Sequence, residues 1–143
     1  MEKEDINALD EISKGACMGM DATKDLLSKI KDDNFKKLVE EQYNDYEQVK
    51  EEIDKIYPKD SDKEPHETNA MNKMMTWYGI NMKTMTDDST SKIAEILLQG
   101  TNMGIIEGKR ILNKKKINEE VEDVMNRYVS MQEKYVERIK EYL

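Results

Sequence analysis

From Asp5 to Lys31, the residues Ile6, Leu9, Ser13, Ala16, Met20, Thr23, Leu27 and Ile30 recur at alternating spacings of three and four, which places them on one stripe of a helix. Asp32-Asp33-Asn34 then supplies a tight turn of short polar side chains. A second helix follows with Phe35, Val39, Gln42, Tyr46, Val49, Ile53 and Ile56 on its inward face. It stops at Tyr57-Pro58, because proline has no amide hydrogen to continue the helical ladder. So short a turn makes the two helices antiparallel neighbours. The stretch from Pro58 to Pro65 is polar throughout and reads as a linker. Within it Ser61 and Glu64 have the spacing of a capping box, and Pro65 is tolerated in a first turn, so a third helix is expected over 66–86.

That helix carries a methionine stripe of Met71, Met74, Met75, Tyr78, Met82 and Met85, with Trp77 and Ile80 off the stripe. Thr86 to Ser91 breaks it, since these short side chains compete for backbone hydrogen bonds. In the fourth helix, Lys92 to Asn113, Ile96-Leu97-Leu98 and Met103-Gly104-Ile105-Ile106 wrap most of the circumference, which predicts a central position. Gly100, Gly104 and Gly108 line one groove where a neighbouring element can approach closely, in soluble packing rather than a membrane span. The last helix, about Asn118 to Tyr142, turns Val121, Val124, Met125, Tyr128, Gln132, Tyr135 and Ile139 inward.

Sliding residues 15–31 onto 100–116 matches Gly15, Met18, Gly19, Lys24, Leu27, Lys29 and Lys31, seven of 17 positions. One added residue then sets Gln42 on Tyr128, Tyr46 on Gln132 and Ile53 on Ile139. The expected architecture is all-α: an antiparallel four-helix bundle built from two similar helical hairpins, with an additional Met-rich connecting helix. It forms a single domain over 1–143, with a hairpin at 5–57, a linker at 58–65, the connecting helix at 66–86 and a second hairpin at 89–143. In helix order, and in the segment Ile96-Leu-Leu-Gln-Gly-Thr-Asn-Met-Gly-Ile-Ile106, the chain resembles an uncharacterised family of small bacterial helical proteins in the ferritin-like, four-helix-bundle group. The resemblance implies a fold and no particular activity.

Charge changes the picture. The chain has 31 acidic residues against 23 Lys and Arg, a net charge of −8, and a sequence pI near 4.8. With no face dominated by Lys or Arg, a nucleic-acid partner is not expected, because such binding rests on neutralising phosphates. The absence of a long apolar run argues against a membrane span, and the charged start, Met-Glu-Lys-Glu-Asp, does not read as a secretion signal. A cytoplasmic location is therefore expected. Eleven methionines supplement an otherwise thin aliphatic core.

The candidate chemistry is sparse. Ferritin-like di-iron sites draw on four carboxylates and two Glu-x-x-His pairs, whereas this chain has one histidine, His66, with no Glu three residues before it, so no metal site and no cofactor are expected. The methionines, which can hold cuprous ion when several converge, read instead as core or interface. Cys17 stands alone and reads as a small apolar filler. No nucleophile has a base beside it and no phosphate-cradling loop is present, so an enzyme is not expected. Two groups stand out. Gln42, Tyr46, Glu107, Tyr128 and Gln132 fall inside apolar stripes and form a candidate internal polar cluster. Met71, Met74, Met75, Trp77, Tyr78, Ile80 and Met82 form a candidate interface, with a homodimer as its simplest partner. The expected role is interaction or self-association, and the alternative is a ligand- or metal-binding bundle with a polar pocket around Glu107.

Overall fold

The computed structural model describes residues 1–59 and 69–143, and in the second stretch the side chains of 76–83 and 85–143. Five α-helices pack against one another, with no strand among the described residues: α1 (Lys3–Leu27), α2 (Asp33–Ile56), α3 (Asn69–Thr84), α4 (Thr90–Lys114) and α5 (Glu119–Ile139). A 3₁₀ turn, Lys140–Tyr142, closes the chain, and Tyr142 stacks on Phe35 with ring centroids 4.8 Å apart.

Each long helix begins where a side chain satisfies its first free amides. Asp32 accepts from the Phe35 amide at 2.8 Å, Ser89 from Lys92 at 3.2 Å and Asn118 from Val121 at 2.9 Å. α2 ends at Tyr57, whose extended backbone (ψ 130°) is the conformation that a following proline requires. α4 ends on Lys115 in the left-handed region (φ 53°), which turns the chain toward α5.

The strongest contacts join α1 to α2 and α4 to α5, and the two hairpins meet where α2 packs on α5 and α1 on α4. α3 lies against α1 and α4. One apolar cluster, with Leu26, Phe35, Leu97, Tyr135 and Ile139, gathers around the α1–α2 turn and the start of α4. A second, with Leu9, Ile12, Ile53, Val121 and Met125, fills the other end. Full burial of such side chains contributes about 1.5–3 kcal/mol each.

Several expectations change. The buried face of α1 is Asp5, Ala8, Leu9, Ile12, Gly15, Ala16, Gly19, Ala22, Thr23 and Leu26, whereas Ile6, Ser13, Met20 and Leu27 are only half-buried. The helix is rotated toward its small residues because large side chains of α2 and α5 occupy the space in front of them. α4 is not central: Ile106 is 50% exposed, and Gln99, Asn102, Lys109 and Asn113 continue that outer stripe into solvent. The expected third-helix start at Ser61 to Pro65 lies outside the described residues, as does His66, and the described helix begins at Asn69.

Candidate functional site

Between the two apolar clusters lies a polar layer that draws on three helices. The Gln42 amide nitrogen donates to the Thr101 hydroxyl at 3.0 Å, and Thr101 donates onward to the Leu97 carbonyl at 2.7 Å. Tyr46 donates to the Gln132 side-chain oxygen at 3.1 Å, and the Gln132 amide reaches the Tyr128 carbonyl at 3.3 Å. Glycines make room for these groups. A methyl group at Gly19 would lie 2.6 Å from the Tyr46 ring and one at Gly15 2.5 Å from the Tyr128 hydroxyl, while Gly104 and Gly100 receive Gln132 and Tyr78 in the same way. Gly19 with Tyr46 and Gly104 with Gln132 are equivalent positions in the internal repeat. Burial pushes the Tyr46 phenol up to about 12, against hydrogen bonds from Gln42 and Thr101. Burial likewise raises Tyr128 well above the usual phenol range. The layer is thus uncharged, and its one buried side-chain atom without a partner among the described residues is the Gln42 oxygen. This arrangement sets helix register and offers no acid or base near neutral pH.

Glu107, placed in that cluster by the sequence pattern, stands at its edge instead. It is half-buried, and its partner is Glu11 on α1, a residue outside the stripe expected for that helix. The Glu11 carboxyl is pushed up to about 7, first by burial and then by the charge of Glu107 and a hydrogen bond with it, with Lys114 and Lys14 pulling the other way. The neighbouring Glu107 charge disfavours the ionised form of Glu11, so the Glu11 carboxyl is partly protonated near neutral pH.

Beside Glu11 the groove between α1 and α4 opens into a cleft of about 260 Å³. Glu4, Asn7, Ala8 and Glu11 form its α1 wall, and Ile111, Lys114, Lys116 and Ile117 form the other. One wall is acidic and the other basic, yet no salt bridge among the described residues joins them. Among the described residues no group of three or more His, Cys, Asp or Glu is placed to hold a metal ion.

The candidate interface divides. Tyr78 is a core residue, 8% exposed, and not a surface one. It turns inward because Gly100 leaves space for its ring, and Trp77 packs edge-on against it at 5.1 Å and 73°. Met82 and Trp77 are partly buried against the same cluster, while Ile80 is 56% exposed. The side chains of Met71, Met74 and Met75 lie outside the described residues. Cys17 is half-buried, and that burial raises its thiol.

Sequence reasoning missed two buried or half-buried acids. Besides Glu11 there is Asp5, 2% exposed. Its carboxylate accepts from the Glu2 amide at 3.0 Å, the Asn118 amide at 2.7 Å and the Asn118 side chain at 3.3 Å. The Glu2 and Asp5 side chains close a reciprocal box at the start of α1, so the three-residue spacing was the available signal. No described helix is long and apolar enough to cross a membrane. No family model, curated protein or solved structure matches the chain.

Proposed function

We propose that this chain is a four-helix, ferritin-like bundle that works by binding a small ligand in the α1–α4 groove beside Glu11 and its neighbour Glu107, without catalysing a reaction. The observation that carries this reading is Glu11, which lines an open cleft and has Glu107 as a neighbour outside the lining. A half-buried acid with a raised proton affinity and a named charge partner, set in a concave surface, is what binding and catalytic sites share. Among the described residues no group of three or more His, Cys, Asp or Glu gathers around Glu11, and the cleft lining carries no Cys, Ser or His, so binding fits it better than catalysis or metal chemistry.

Native mass spectrometry of the chain purified without chelator or affinity metal, paired with Glu107→Gln, tests the proposal. A stoichiometric small-molecule adduct that disappears in Glu107→Gln is the expected result. A protein that binds nothing in a mixed-metabolite screen, and in which Glu107→Gln alters only stability, overturns it.

A second reading, self-association as a homodimer in the cytoplasm, draws on Ile80 and Ile106, large aliphatics at 56% and 50% exposure. The same spectrum counts subunits, and a single-chain mass at all concentrations removes this reading.

A further inference from the structure

We infer that the α1–α4 cleft takes a small zwitterion, an α-amino acid with an apolar side chain, its ammonium on the Glu4–Glu11 wall and its carboxylate on the Lys114–Lys116 wall. This rests on the reading of the groove as a binding site and adds the chemistry of the ligand.

Three features of the cleft converge on it. The first is the separation of charge. Glu4 and Glu11 lie seven residues apart on one face of α1, and Lys114 and Lys116 stand across from them at the end of α4 and in the turn that follows. In a surface where Arg138 and Glu41 pair at 2.7 Å and Arg127 and Glu52 at 2.9 Å, these opposite charges face each other without closing to a salt bridge. A solute carrying both signs bridges the gap. A simple cation or anion satisfies one wall and is repelled by the other, so the walls select against it.

The second feature is the surface between the charges. Ala8, Ile111 and Ile117 supply apolar area for an aliphatic side chain, and Asn7 supplies an amide that both donates and accepts. The third is size: about 260 Å³ lies just under the roughly 300–1,000 Å³ of pockets for drug-sized ligands, so a single small solute matches it. A divalent cation does not, since Lys114 and Lys116 stand in the same cleft.

The carboxyl pair gives the site a direction in pH. The groups facing Glu11 are Glu107 and Lys114 from α4 and Lys14 from its own helix, with Glu4 further along the α1 wall, and Glu107 in turn acts on Tyr128 of α5. An ammonium group binds the ionised form of Glu11, so ligand uptake releases the Glu11 proton. With half-protonation near pH 7, affinity at pH 6 is about tenfold below that at pH 8. The lysines are exposed, so binding also weakens with added salt.

The test uses the full chain, isothermal titration calorimetry and amide-resolved NMR, with L-leucine as probe. Leucinamide, which lacks the carboxylate, and N-acetyl-leucine, which lacks the ammonium, are the controls. Saturable leucine binding at least about tenfold tighter than either analogue is expected, with shifts confined to residues 4–11 and 111–117. Lys116→Gln, in an exposed turn where folding is not at stake, lowers the affinity, and the pH 6 to pH 8 ratio collapses in Glu11→Gln. Either analogue binding as tightly as leucine, or leucine shifts outside the cleft, overturns the zwitterion assignment. A non-zwitterionic compound that shifts only the cleft residues in a fragment panel overturns the assignment and leaves the groove a binding site. A panel in which nothing shifts them removes both.

Discussion

The raised proton affinity of Glu11 makes the stability of the fold depend on pH in a direction opposite to the ordinary carboxylate. Glu11 goes from 4.5 to about 7 on folding, so between those values the folded chain binds more protons than the unfolded one. Stability therefore falls as pH rises through that window and levels off above it. At 1.36 kcal/mol per pH unit the interval sets a ceiling of about 3.4 kcal/mol, and because Glu11 is about half-exposed, solvent screening reduces this to roughly 1 kcal/mol. Glu11→Gln keeps the shape and the hydrogen-bonding capacity while removing the charge. At pH 8 it is expected to be more stable than the parent by roughly 1 kcal/mol, a rise in Tm of about 2–4 °C. At pH 4.5, where the parent carboxyl is already protonated in the folded state, the two coincide. Urea or calorimetric melts of both proteins at pH 4.5, 6, 7 and 8 measure the difference, and background titrations common to both cancel. A difference that does not change with pH, or that grows toward acid, refutes the reasoning. Glu107→Gln relieves the same repulsion, so the double variant gains less than the sum.

Other perturbations address the fold around the site. Gly100→Ala drives a methyl into the Tyr78 ring and is expected to detach α3, costing about 1–3 kcal/mol, with hydrogen exchange rising in α3 first and α5 unaffected. Tyr46→Phe leaves the Gln132 oxygen without its donor and costs about 1–3 kcal/mol. Gln42→Leu removes a buried oxygen that has no partner among the described residues together with the amide that donates to Thr101, so it costs less than Tyr46→Phe, about 1 kcal/mol or below, and urea midpoints of these two variants move apart. Asp5→Ala strips three hydrogen bonds from two helix starts and costs about 2–3 kcal/mol, read as a lower Tm with faster exchange at the start of both α1 and α5.

The two helices whose inward faces carry large side chains were the legible ones. Phe35, Val39, Gln42, Tyr46, Val49 and Ile53 of α2, and all seven residues expected inside on α5, are buried. α1 was read one step round because hydrophobic periodicity gives no weight to glycine, while Gly15 and Gly19 are the points of closest approach. Glu107 could be singled out as an acid within an apolar run, but Glu11 sits among ordinary surface charges. Only the packing of α1 on α4 brings the two together. Likewise a methionine stripe leaves Tyr78 open between core and interface, and the pocket that Gly100 provides for it belongs to another helix. Interactions within one turn of helix are written locally, whereas a pair across a groove depends on the rotation of both partners.

The bond from Asp5 to Asn118 spans 113 residues, which has a consequence for synthesis on the ribosome. At about 5–20 residues per second, roughly 6–23 s pass between polymerisation of the two partners. During that interval the opening turn of α1 carries a carboxylate that lacks two of its three donors, both of which come from Asn118. The start of the first helix therefore completes its hydrogen bonds only when the start of α5 reaches it, and one contact then ties those two helix starts together.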